Sequence, residues 1–277
     1  MSPSPPVVLS FAASDPTGGA GLQADLLTIA ALGCHPASVV TAVTAQDTRG
    51  VEALLALEPA WIERQAERLL ADMPVAAFKL GVLGSAPNAR IVARLLEARR
   101  GAPATTPPPV VLDPVLASGR GDSLADAETL RAIRESLLPL TTVLTPNSVE
   151  ARRMANAEPG ANLEDCARAL VEAGCKYVLV TGTHEATPQV VNTLYGARGK
   201  LREDRWERLP GSYHGSGCTL ASALAAFLAR GSSVADAARE AQDYTWHALA
   251  AGFRPGKGQA LPNRFHDEAA RPLRDHA

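Results

Sequence analysis

The chain has 277 residues, 46% hydrophobic and 20% charged, with 27 basic and 29 acidic side chains for a net charge of −2. That balance fits one large α/β domain over residues 1–277 and, with no basic stretch, excludes nucleic acid or an anionic membrane as a main partner. Four cysteines (Cys34, Cys166, Cys175, Cys218) show no CxxC or zinc spacing, "MSPSPPVVLS" shows neither the basic flank nor the apolar core of a signal peptide, and the longest apolar run is too short for a bilayer. A soluble cytoplasmic protein with reduced thiols is expected.

In chain order, "VVLSFAA" (Val7 to Ala13) reads as a buried strand ended by the turn-forming "SDPTGGAG". Leu22, Leu26 and Ile29 then share a helical stripe that stops at Gly33. A β-branched strand over Ser38 to Ala45 is followed by a helix from about Pro59 to Leu70, a strand in "VAAFKLGVLG", and a helix from about Asn88 to Arg100. "GAPATTPPP" (Gly101 to Pro109) reads as a surface loop, after which strands recur at Val110–Val115, Thr141–Asn147 and Tyr177–Thr183. Val190 to Arg208 alternates around a glycine turn, a hairpin signal, and helices over Gly217–Ala229 and about Val234–Ala251 close the chain. Such alternation predicts an α/β fold with a mostly parallel sheet covered on both faces, whose ligands collect at the carboxyl ends of strands.

Several segments at those ends carry chemistry. In "HGSGC", Gly215, Ser216, Gly217 and Cys218 either open a helix whose free amides can nest an oxyanion, an arrangement suited to phosphoryl transfer, or form a tight loop into a buried helix. Cys218 in that first turn has a dipole that favours its thiolate, although a neighbouring phosphate opposes it and a small core role is the alternative. Gly18, Gly19 and Gly21 let the backbone approach a ligand, and Asp25 can accept hydrogen bonds from an amino group on a flat heterocycle or complement the helix dipole. Asp15 reads as a turn or capping residue. Gln46 offers a donor and an acceptor suited to a ring nitrogen beside an exocyclic amine, a reading that its pairing with Asp25 at adjacent strand ends sets against that of an ordinary loop residue. Asp113 and Glu150 follow apolar strands, where carboxylates can hold Mg²⁺ directly or through water; Asn147 and Glu150 equally fit a capping box. "GAGLQA" (Gly19 to Ala24) matches a dinucleotide fingerprint, but its ribose acid is misplaced; no Walker A or protein-kinase motif occurs.

Together, "DPTGGAGLQADLLTIAALG", "TAVTAQDTRGV", "KLGVLG", "VVLDPVLASGRGD", "LLPLTTVLTPNSVEA" and "HGSGCTLASALAAFLARG" resemble the hydroxymethylpyrimidine/phosphomethylpyrimidine kinases of thiamine biosynthesis, over residues 7 to 260. The resemblance implies a ribokinase-like fold, a homodimer, and two MgATP-dependent phosphorylations. The first acts on 4-amino-5-hydroxymethyl-2-methylpyrimidine and the second on its monophosphate. It implies that Asp25, Gln46, Ala20 and Val82 face the pyrimidine. It further implies Cys218 as the catalytic residue, Gly215, Ser216 and Gly217 as anion hole, and Asn147 and Glu150 beside the Mg-phosphate region. The nucleotide falls to Thr181, Gly182 and Lys257. Many members have Lys-Gly-Gly-His where this chain reads Thr181, Gly182, Thr183 and His184, methionine at Val82, and a lysine whose place Arg120 takes. Pyridoxal kinase on the same fold and a non-enzymatic pyrimidine sensor are the competing functions.

Overall fold

The computed structural model describes residues 4–100, 106–117, 121 and 124–266; Arg120 and residues 101–105 of the expected loop lie outside the described residues. The strands are β1 (Val7–Ser14), β2 (His35–Asp47), β3 (Gly50–Ala56), β4 (Val75–Leu80), β5 (Val110–Leu112), β6 (Val143–Leu144), β7 (Tyr177–Thr181), β8 (Gln189–Gly196) and β9 (Gly199–Glu207). They form one sheet in the order β3-β2-β1-β4-β5-β6-β7-β8-β9. Within it β2, β1, β4, β5, β6 and β7 run parallel, and β3, β8 and β9 add antiparallel edges.

The parallel centre is apolar on both faces, with a period of two along each strand. Leu9, Phe11, Phe78, Leu80, Leu112, Leu144 and Val178 point to one side. There they meet α2 (Pro59–Asp72), α3 (Ala86–Arg100), α5 (Ser148–Met154) and α6 (Leu163–Glu172), with the short α4 (Ala127–Ala132) completing that layer. Val8, Ala77, Val111, Val143 and Leu179 point to the other side, toward α1 (Gly21–Ala31), α7 (Ser216–Ala229) and α8 (Val234–Ala250). Every residue of α7 from Cys218 to Ala226 is buried, and its run of alanines lets it lie close to β4 and β5.

The expected α/β architecture is present, with one element added. β3 was not legible in "VEALLALE", because Ala, Leu and Glu favour helix locally and only pairing with β2 makes them a strand. Two expected strands are shorter than their sequence runs: β5 stops at Leu112 and β6 spans two residues. Both give way early to loop, and those loops carry the site. Among the described residues no helix is long and apolar enough to cross a membrane.

Candidate active site

A cavity of about 760 Å³ opens at the carboxyl ends of the central strands. Ser14 and Asp15 reach it from β1, Gln46 from β2, Val82 from beyond β4, Asp113 from beyond β5, Thr145 from beyond β6 and Thr181 from the end of β7. The turn Gly215–Cys218 enters from the facing side.

That turn leaves backbone donors facing the cavity. Gly215, the residue before α7, is left-handed at φ 81°, and no side chain caps the helix. The first amides of α7, at Ser216, Gly217 and Cys218, therefore have neither an intrahelical acceptor nor a cap. A β-carbon on Gly215 would fall 1.8 Å from the Gly19 carbonyl oxygen, so glycine is what allows the two loops to touch.

Asp15 ties those loops together. Its Oδ2 accepts from Ala20 N (2.7 Å), Thr17 Oγ1 (2.9 Å) and His214 Nε2 (2.8 Å), and its Oδ1 accepts from Thr17 N at 2.8 Å. Burial works against this carboxylate's charge, yet His214 and the two amides hold its pKa below the usual value. The sequence reading of Asp15 as a turn residue covers only half of this role, since His214 lies 199 residues away.

Cys218 lines the cavity, but not as a thiolate. Burial pushes its thiol up to about 12; the Lys79 ammonium pulls the other way, and Asp113 and Asp25 add to the rise. The dipole expectation fails because desolvation of a largely buried sulfur outweighs one helix turn. Asp113, just beyond β5, is raised to about 6 by burial, against the pull of Lys79, and its Oδ2 is buried without a hydrogen-bond partner. Glu150 is raised to about 8 by burial and by Asp113. It closes the expected capping box on α5, accepting from Asn147 N at 3.0 Å while Asn147 Oδ1 accepts from Glu150 N at 2.9 Å.

A divalent cation fits this corner. Two buried carboxyls, of which Asp113 raises the cost of ionising Glu150 and itself carries an orphan oxygen, form a hard donor set. Among the described residues no cluster of three or more His, Cys, Asp or Glu could hold a metal. Phosphate and water oxygens must then complete any coordination, as is usual for Mg²⁺.

Gln46, Ala20 and Val82 line the same cavity, as do Asn147 and Thr181. Asp25 does not. It is fully buried below the cavity floor, 2.8 Å from Lys79 Nζ through Oδ1, and accepts from Ser222 Oγ at 2.8 Å and Ser10 Oγ at 2.5 Å. With both oxygens engaged, it has no oxygen left for an exocyclic amine. The signal for its real partner was present: a single lysine in the apolar strand "VAAFKLG", directly opposite Ser10 across β1 and β4.

Two further expectations change. Gly182 is buried off the cavity wall, where its amide donates to Asn192 Oδ1 at 3.1 Å and a β-carbon would strike the Val191 oxygen at 2.3 Å. Lys257 is exposed and also off the wall; its neighbour Gly258 presses on Thr48, donating to Thr48 Oγ1 at 2.9 Å. Arg208, Trp206 and Trp246 line the cavity beyond Thr181, and none was singled out from sequence. Arg208 binds the carbonyls of Thr183, Glu185 and Thr187, holding the segment that follows Thr181.

The sequence matches the phosphomethylpyrimidine kinase family over residues 15–263. The chain belongs to this family. A hydroxymethylpyrimidine/phosphomethylpyrimidine kinase of Streptomyces coelicolor is 41% identical over 260 residues, covering 92% of each chain. Among solved structures, the phosphomethylpyrimidine kinase from Clostridium difficile 630 is similar at TM-score 0.74 and 31% identity, over 87% of this chain and 97% of that one. The pyridoxal kinase from Staphylococcus aureus in complex with ADP is similar at TM-score 0.86 and 26% identity, over 97% and 96%. This phosphomethylpyrimidine kinase family member therefore has the ribokinase-like fold that its motifs imply.

Proposed function

We propose that the protein phosphorylates 4-amino-5-hydroxymethyl-2-methylpyrimidine with ATP, and then its monophosphate to the diphosphate, in thiamine biosynthesis. One observation carries this reading: the uncapped amides of Ser216, Gly217 and Cys218 share a cavity with the Gln46 amide, and Asp113 stands beside them. Gln46 has both a donor and an acceptor for the aminopyrimidine edge, while Ala20 and Val82 supply apolar and backbone wall. The α7 amides hold the transferring phosphoryl, and alignment with charge stabilisation supplies most of the rate.

Asp113, and Glu150 through water, would hold Mg²⁺, which supplies charge neutralisation for the phosphates. Cys218, neutral in its buried position, contacts the substrate hydroxyl and orients it rather than attacking it. Thr181, Asn147 and the segment held by Arg208 form the nucleotide side, with no lysine from this segment. Residues 1–277 work as one kinase domain, in keeping with the single sheet. The protein acts in the cytoplasm, in keeping with four free thiols. It pairs as a homodimer, for which the exposed Val43 and Leu55 on the β2–β3 hairpin offer an apolar face.

The pyridoxal kinase reading draws on the TM-score of 0.86 against 0.74, but sequence identity favours the pyrimidine. Incubation with MgATP and the pyrimidine alcohol, its monophosphate or pyridoxal, together with a count of phosphates on the product, separates the readings. The expected products are the pyrimidine mono- and diphosphate. Turnover of pyridoxal alone, or binding without product, overturns the proposal.

A further inference from the structure

Arg264, in the segment after α8, is 4% exposed and off the cavity wall. Burying a guanidinium is costly unless it is hydrogen-bonded, and here each of its three nitrogens bonds a backbone or hydroxyl oxygen rather than a carboxylate. Its Nη2 donates to Gly19 O at 2.6 Å, Nη1 to Gly18 O at 3.3 Å and Nε to Thr219 Oγ1 at 3.2 Å. Thr219 Oγ1 in turn donates to Gly215 O at 2.9 Å. The Arg264 carbonyl accepts from Tyr244 of α8 at 2.6 Å, fixing the backbone from which the side chain reaches.

These bonds reach the cavity from behind. The Gly19–Ala20 peptide is gripped at both ends, its carbonyl by Arg264 and its amide by Asp15. The same guanidinium is joined through Thr219 to Gly215, so one side chain sets the separation of the substrate loop and the anion-binding turn. Those loops leave no slack, because Gly215 lies against Gly19 O and a β-carbon on Gly19 would meet the His214 ring at 2.4 Å.

We propose that Arg264 is a positioning residue for phosphoryl transfer, clamping the two glycine turns in register. The inference rests on the kinase reading for its catalytic consequence, but its structural core does not depend on it. In-line transfer tolerates little displacement: misplacing reacting groups by about 1 Å costs on the order of 100-fold in rate.

The test combines kinetics, amide exchange and guanidinium rescue on Arg264→Ala with exchange on Arg264→Lys. In Arg264→Ala, kcat with MgATP and the pyrimidine alcohol is expected to fall on the order of 100-fold, with KM changing far less. Amide hydrogen exchange is expected to accelerate at residues 17–21 and 214–219 together, leaving the central strands unchanged. Low, non-denaturing guanidinium should restore part of the lost rate, whereas a merely destabilised fold would be harmed by it. Arg264→Lys keeps the charge but cannot span three acceptors, so it should show the same paired exchange change even where the alanine variant does not fold. Unchanged kcat in an otherwise active enzyme, or exchange that rises in only one turn or across the whole chain, overturns the clamp. If the wild-type enzyme leaves the pyrimidine unphosphorylated, the functional reading fails while the exchange experiment still decides the clamp.

Discussion

Lys79 Nζ stands 2.8 Å from Asp25 Oδ1, and neither side chain has any solvent exposure. Burial opposes the lysine's charge, but Asp25, Cys218 and Asp113 hold its pKa above the usual value. Removing one member of such a pair strands the other, at a cost of about 3–5 kcal/mol. Lys79→Met is therefore expected to lose about that much in denaturant melts. Adding Asp25→Asn should recover much of it, since the amide still accepts from one serine. Additive losses in the double variant would contradict the pairing. Because Asp25 is off the wall, Gln46→Ala should raise the KM for the pyrimidine more than Asp25→Asn does.

Gly215 and Gly217 are two residues apart, yet they should respond in opposite ways to alanine. At Gly215 the left-handed backbone costs about 1–2 kcal/mol for any L side chain, and the new β-carbon would fall 1.8 Å from Gly19 O. At Gly217 the nearest atoms are the Asp113 carboxylate oxygens, 3.7 and 3.8 Å away, an ordinary contact. Thermal melts should show Gly215→Ala destabilised and nearly inactive. Gly217→Ala should melt at or above the wild-type temperature, because alanine in a helix gains up to about 1 kcal/mol over glycine. Equal melting temperatures for the two variants would contradict the turn geometry.

Asp113 sets function against stability. Its pKa is raised from 3.8 to about 6, so the folded protein holds this proton more tightly than the unfolded chain does. Native stability therefore loses a contribution as pH rises through that window, and the penalty is complete above it. Asp113→Asn should remove the penalty, raising stability by on the order of 1–3 kcal/mol at neutral pH and hardly at all at about pH 3. Turnover should fall by on the order of 100-fold in the same variant as cation binding is lost. A variant that is both active and no more stable would contradict the carboxylate's assigned place.

The Arg152–Glu185 pair gives the opposite pH sign. Arg152 Nη1 is 2.8 Å from Glu185 Oε1, and this bond draws the carboxyl from 4.5 down to about 2. Its stabilisation is present above 4.5 and is lost as pH falls toward 2. Amide protection in residues 182–188 should decline across that window, and Glu185→Gln should remove the decline. Unchanged pH dependence in the variant would show that the pair does not anchor this segment.

Much of the site was legible because its parts are local. "HGSGC" and the Asn147–Glu150 box carry their geometry in a few adjacent residues, and Gln46, Asp113 and Thr181 sit where strands end. The features that were missed depend on contacts between distant segments. Asp25 gained a buried partner only because β1 and β4 are neighbours, placing Ser10 beside Lys79 on the face of α1. Arg264 meets Gly19 across 245 residues, and no spacing rule anticipates that. The Cys218 thiol shows the same limit: its helix turn was visible, but its degree of enclosure was not.

The most direct measurement is a crystal structure with the pyrimidine alcohol, Mg²⁺ and a nonhydrolysable ATP analogue. The terminal phosphate should lie within hydrogen-bond reach of the Ser216, Gly217 and Cys218 amides, in line with a hydroxymethyl oxygen whose ring is held by Gln46. A nucleotide seated elsewhere, with the mouth of α7 vacant, would contradict the account.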